Sequence, residues 1–212
     1  MGIVLKSSRT LIALSSSLLT GMLAAMVLVG WQIHNVVLIS IALGFITMKA
    51  NTAIAFLACS LALYLTLGKY RPYAAWPAVG VGLIGAATLF EYSSGNLGID
   101  EFIFKDPYSV LYPGRMAPIT AVNFIVFSVA MLLLSRGKNS VSLFCCAVLG
   151  LSAFFAVLGY AYGVPFLYGS GQYTSMALQT GVCFLVLAWG EWRPAVTVGC
   201  WHSSGSRGRA SI

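Results

Sequence analysis

The chain has 212 residues, 59% of them hydrophobic and only 8% charged, with a formal net charge of +7. Soluble domains carry about 25% charged residues, so composition excludes a water-soluble globule and makes the lipid bilayer the expected solvent. The basic residues sit in pairs between apolar runs, a pattern that sets membrane topology and excludes a phosphate-tracking groove for nucleic acid.

Six spans are expected in chain order. Lys6 and Arg9 precede the first, Leu11–Gly30. A signal peptide cleaved near Ala24-Ala25 is the alternative, but the run has the ~20 residues that cross ~30 Å of hydrocarbon and exceeds an ordinary signal core. An uncleaved first span is therefore preferred. The connection Trp31–Lys49 holds a second apolar piece, Val36–Ile46. It is too short to span, and could lie in the interface, re-enter, or extend span two; a break near Lys49 and Asn51 is preferred. The other spans run Ala50–Leu67, Ala74–Phe90, Ala117–Leu134, Val141–Tyr160 and Thr174–Gly190. The runs are continuous, not alternating, so helices satisfy the backbone in lipid and a β-barrel does not fit.

If six spans alternate, Lys6, Arg9, Lys69, Arg71, Arg136, Lys138, Arg193, Arg207 and Arg209 share one side, leaving Lys49, Lys105 and Arg115 on the other. By the positive-inside rule both termini are cytoplasmic. Residues 1–192 form the membrane module, and the basic, low-complexity stretch 193–212 reads as a disordered cytoplasmic tail. Glu91, Asp100, Glu101 and Asp106 fall outside and Glu191 inside. The outer loops are the longer ones. Glu91–Arg115 is polar and rich in glycine and proline, whereas Tyr160–Tyr173 is uncharged and aromatic. Such aromatics are either an interfacial belt or part of a cap folded back over the bundle.

One pattern occurs three times. Met48, Thr52 and Phe56, then Met116, Thr120 and Phe124, then Met176, Thr180 and Phe184 are spaced i, i+4, i+8. On a helix that spacing draws one stripe. Trp31, Tyr92 and Tyr160 hold a like place at the end of the preceding span. The expected fold is thus all-α, three repeated helical hairpins. The stripes suit helix packing, through threonine back-bonding and methionine filling. Alternatively they converge near the outer leaflet and line an apolar site with a few polar groups: the three threonines, Asn51, Asn123 and Gln179. Glu91, Tyr92 and Arg115 join the candidate ligand-binding residues, with Tyr160. Glu91 either reaches water at the span edge or pairs with Arg115. Arg115 either snorkels or pairs with Glu91, Asp100 or an anionic ligand.

No catalytic set is legible: no Ser/His/Asp group, H-E-x-x-H, Walker loop or dinucleotide fingerprint occurs. An enzyme is not expected, nor a cofactor; His34 with Met48 or Met116 is the one haem-ligand pair that can be drawn, and it is not preferred. The five cysteines show no C-x-x-C and read as small hydrophobes, not as a metal site or disulfides. A transporter is the rival, but the span centres lack the ionisable residues that mark an ion path.

LGIDEFIF (Leu97–Phe104), PGRMAPITAVNF (Pro113–Phe124) and LYGSGQYTSMALQT (Leu167–Thr180) resemble the N-terminal multi-span sensor region of bacterial membrane-bound signalling proteins. In that family the membrane module precedes PAS domains and a histidine kinase or diguanylate cyclase. The resemblance covers roughly Gly30 to Trp192 and implies a sensory role in a bacterial inner membrane, with no catalytic residues to transfer. The family pattern continues into cytoplasmic domains, whereas this chain stops soon after Glu191-Trp192-Arg193-Pro194. The expectation is an input module without its output domain, acting as a homo-oligomer or with a separate cytoplasmic signalling protein. The alternative is a small transporter-like or structural membrane protein that works with a partner.

Overall fold

A computed structural model describes residues 2–42, 44–67, 70–95, 98, 101, 104–109, 112–169 and 173–205, with side chains described between Thr10 and Trp192. Every regular element among the described residues is helical. The helices are α1 (Gly2–Gln32), α2 (Val36–Ser40), α3 (Ala50–Leu65), α4 (Ala75–Ser94), α5 (Pro118–Ser135), α6 (Asn139–Tyr162) and α7 (Leu178–Gly205). Single 3-10 turns precede α4 at Arg71–Ala74 and follow α6 at Pro165–Leu167. Four helical stretches are long and apolar enough to cross a membrane: Thr10–Gln32, Arg71–Ser94, Pro118–Ser135 and Asn139–Tyr162. α3 is apolar but shorter. The chain is an all-α protein with the helices of a membrane protein.

Local chemistry sets the ends. Pro118 opens α5, where a missing N–H costs nothing. Asn35 caps α2, its Oδ1 accepting the N–H of Val37 and Leu38. Gly163 closes α6 in the left-handed conformation, at φ 65°. Val36–Ile46 is split: only Val36–Ser40 is helical, and α3 begins after Lys49, at the break the sequence favoured. α7 continues to Gly205, so the boundary expected at residue 193 falls inside a helix.

The helices form a closed ring. α1 packs on α3 and α7, α4 on α3 and α5, and α6 on α5 and α7. α3, α5 and α7 also touch one another, so they form an inner trio with the other three wedged around it. Small residues bring the pairs close. A Cβ on Gly82 would lie 2.6 Å from Ser128 Oγ, one on Gly21 2.8 Å from Ser60 Oγ, and one on Gly85 2.6 Å from the Ala121 carbonyl oxygen. Around the periphery Leu11, Met22, Trp76, Leu83, Phe144 and Leu151 are exposed. An apolar exterior of this kind belongs against lipid.

Phe56, Phe124 and Phe184 meet at the centre of the trio, all fully buried. Their centroids are 4.9 Å (56–124), 4.7 Å (56–184) and 4.9 Å (124–184) apart, with planes inclined at 62°, 60° and 60°. These are tilted or edge-on contacts, the arrangement aromatic quadrupoles prefer. Met48, Met116, Met176, Thr52, Thr120 and Thr180 are buried on the same three helices or just before them.

Candidate functional site

The same kind of bond occurs three times at the end where the long loops lie. Trp31 Nε1 donates to the Met48 carbonyl (2.9 Å), Tyr92 Oη to the Met116 carbonyl (3.0 Å) and Tyr160 Oη to the Met176 carbonyl (2.8 Å). Each fixes the last turn of one helix against the entry of the next. All nine residues of the Met/Thr/Phe stripes pack into the core, and none lines the cavity described below. The stripes are thus packed between helices, and Trp31, Tyr92 and Tyr160 are hydrogen-bonded to the backbone at the start of each stripe.

Above the stripes the loops fold back on the bundle. Asp106 lies in the second long loop, and its side chain is fully buried against Lys49, Nζ to Oδ2 2.6 Å. Lys49 also donates to Ser109 Oγ and, at 3.3 Å, to Thr47 Oγ1. The N–H groups of Tyr108 (2.9 Å) and Gly114 (2.9 Å) donate to the same carboxylate. Gly114 has φ 70°, a conformation glycine adopts at little cost. Burial on its own raises the Asp106 carboxyl. The hydrogen bonds from Lys49, Gly114 and Tyr108, with the lysine charge, outweigh it and hold the group below its ordinary 3.8. Phe104 and Tyr108 of this loop pack on Trp31, at 6.2 and 5.8 Å between centroids.

A second buried pair lies where α4 ends and α5 begins. Arg115 Nη2 is 3.7 Å from Glu91 Oε2, and Nη1 donates to the Glu91 carbonyl at 3.3 Å. Glu91 is 1% exposed, so it does not reach water at the span edge, and Arg115 at 5% does not snorkel. Of the partners weighed for Arg115, Glu91 is the one beside it; Asp100 lies outside the described residues. The guanidinium also covers the rings of Tyr92 (5.0 Å) and Tyr112 (5.6 Å). Tyr173 completes this layer, 5.2 Å from Tyr92 and 6.1 Å from Tyr112.

The three loops border an open pocket of about 400 Å³, walled by Phe45, Ile46 and Thr47 from the first, Tyr108, Ser109 and Tyr112 from the second, and Tyr173, Thr174 and Ser175 from the third. Its size falls in the range of small-molecule sites, and its lining is aromatic and hydroxylic, with no charged group among the described residues. Lys49 and Arg115 are each matched by a buried carboxylate, and Lys105 of the second loop is exposed and is not among the residues that wall the pocket. This favours an uncharged occupant. Some aromatics of the third loop fold onto the bundle and others are exposed. Tyr168 stacks on Tyr160 at 4.1 Å and Tyr173 joins the tyrosine layer, whereas Tyr162 and Phe166 are exposed.

The Met/Thr/Phe candidates lie in the core below this pocket, and Lys49, Asp106, Tyr112 and Tyr173, which meet at the loops, were not among the residues the sequence singled out. One signal was available: Asp106 precedes Pro107 in a loop rich in turn residues, and aspartate there tends to accept the N–H two residues on. Nor was Glu191 singled out. Counted as a cytoplasmic acid after span six, Glu191 is in fact fully buried on α7, and neither carboxyl oxygen has a hydrogen-bond partner among the described residues. Among these residues no group of His, Cys, Asp and Glu could hold a metal ion. Comparison of the chain with family models, curated proteins and solved structures finds no match to any of them.

Proposed function

We propose that this chain is the membrane-embedded input module of a bacterial signal-transduction protein, lying in the inner membrane with both termini cytoplasmic. It crosses six times, as three repeated hairpins: α1 with α3, α4 with α5, and α6 with α7. The threefold recurrence of the aromatic-to-methionine-carbonyl bond and the ring trio at 4.7–4.9 Å support the repeat. The positive-inside distribution supports the orientation.

The observation that carries the sensory reading is the cavity under the cap. Tyr112 and Tyr173 wall it on one side and touch Tyr92 on the other. Tyr92 and Arg115 in turn sit at the junction of α4 and α5. A small uncharged molecule that binds there changes the balance of two bundle arrangements only through its different affinity for them. The output partner is a cytoplasmic signalling protein, and a homo-oligomer is compatible with it.

The test uses a chimera in which a dimeric histidine kinase domain continues α7 in helical register. Thr174→Trp, which fills the cavity, and Tyr112→Ala, which enlarges it, are expected to move autophosphorylation about tenfold or more, equivalent to about 1.4 kcal/mol of coupling. Unchanged output in both variants, with intact folding, rejects the cavity as the sensing site. A transporter-like function is the second reading. Buried Glu191 favours it, since unpaired acids within bundles mark ion paths.

A further inference from the structure

Glu191 lies seven residues beyond Phe184, as Leu63 lies beyond Phe56 and Met131 beyond Phe124 (184 to 191, 56 to 63, 124 to 131). Seven residues are about two turns of helix. The three side chains therefore hold corresponding places on α7, α3 and α5, in the half of the bundle away from the cap. Leu63 and Met131 suit a buried place and are 0% and 2% exposed. Glu191 is 0% exposed and has a carboxyl group where the other two helices present hydrocarbon.

The other buried acids have bases: Glu91 has Arg115, and Asp106 has Lys49. Glu191 has none among the described residues. α7 packs against α1, α3, α5 and α6. The titratable groups they bring within electrostatic reach of Glu191 are thiols: Cys59 from α3, and Cys145 and Cys146 from α6. A thiol is a weak donor and no cation. Over their described side chains α1 and α5 contain no Asp, Glu, Lys, Arg or His. The helix is also held close at this level: a Cβ on the adjacent Gly190 would lie 2.6 Å from Ser16 Cβ of α1 and 2.9 Å from Leu63 Cδ2 of α3.

We propose that Glu191 is a proton-binding site within the bundle, occupied in the closely packed arrangement and emptied when α7 shifts enough to admit water or a cation. An ionised carboxyl with no counter-charge and only weak thiol donors beside it is costly away from water, whereas the neutral acid packs beside Leu63 as a polar but uncharged group. On emptying, the O–H bond breaks, the proton passes to water, and the carboxylate remains to be hydrated or paired. The site belongs to α7, the helix to which a cytoplasmic partner would attach. It couples proton occupancy to that helix whether or not the cap cavity takes a ligand.

Infrared spectroscopy of the full chain in lipid nanodiscs at neutral pH tests this directly. The native chain is expected to show the carbonyl stretch of one protonated carboxylic acid, shifted in D₂O, and Glu191→Gln is expected to lose that one-carboxyl band. Alkaline titration of the native chain, which needs no variant, is expected to convert the same band to carboxylate. If the native chain at neutral pH shows no protonated-acid band, or if the band survives in Glu191→Gln, the proposal is overturned.

Discussion

Replacing Lys49 by alanine is expected to destabilise the protein by about 3–5 kcal/mol, because it strands the Asp106 charge in a buried place. The pair is short, at 2.6 Å, and almost fully removed from water. Lys49 sits at the entry of α3 and Asp106 in the loop between α4 and α5, so the pair clamps the cap to the bundle. Unfolding in detergent, followed by helicity against rising dodecyl sulfate, measures the loss. Adding Asp106→Ala to Lys49→Ala is expected to recover part of it, since the stranded charge goes too. A cost below about 1 kcal/mol is what an exposed pair gives, and would mean that the cap does not close over it. Acid acts in the same sense. The Asp106 carboxyl is held below its ordinary 3.8. Its stabilisation is therefore fully present above that value and is lost as pH falls through the lower folded value. Asp106→Asn is expected to remove this acid-side dependence.

Phe124→Ala is expected to cost about 3–5 kcal/mol, the usual range for deleting a buried phenyl ring. The ring touches both Phe56 and Phe184, and each aromatic contact adds about 0.5–1.5 kcal/mol beyond burial. Phe56→Ala and Phe184→Ala are expected to behave alike, because the three centroid separations are nearly equal. Phe154 is on α6 and 48% exposed, so Phe154→Ala is the control that should cost much less in the same assay. Equal costs at Phe124 and Phe154 would contradict a core centred on the ring trio.

These contacts also divide what was readable in the sequence from what was not. The long apolar runs locate the helices, within a few residues except that α1 starts nine residues earlier and α7 ends fifteen residues later than expected, because a helix in lipid needs only its own backbone bonds and an apolar surface. Met48, Thr52 and Phe56 stand out beside their counterparts because three residue types match at helical spacing, and that convergence is local in origin. The cap is different. Lys49 and Asp106 are 57 residues apart, and no local rule links a lysine at a helix entry to an aspartate in a distant loop. Tyr112 and Tyr173 come from separate loops and meet only because α4 and α6 end at the same level. Arg115 and Glu91 were legible as one of several pairings, since both flank the same loop. Glu191 was hidden for another reason. An acid at the end of an apolar run reads as the start of the aqueous side, and its burial depends on how far α3 and α6 extend beside α7.

Reporter fusions after Arg71, Arg136 and Arg193 measure the central claim most directly, that six crossings place the capped loops outside and both termini inside. All three fusions are expected to report from the cytoplasm. A periplasmic report from any one of them would contradict the six-span arrangement and would remove the outer-face cavity with it.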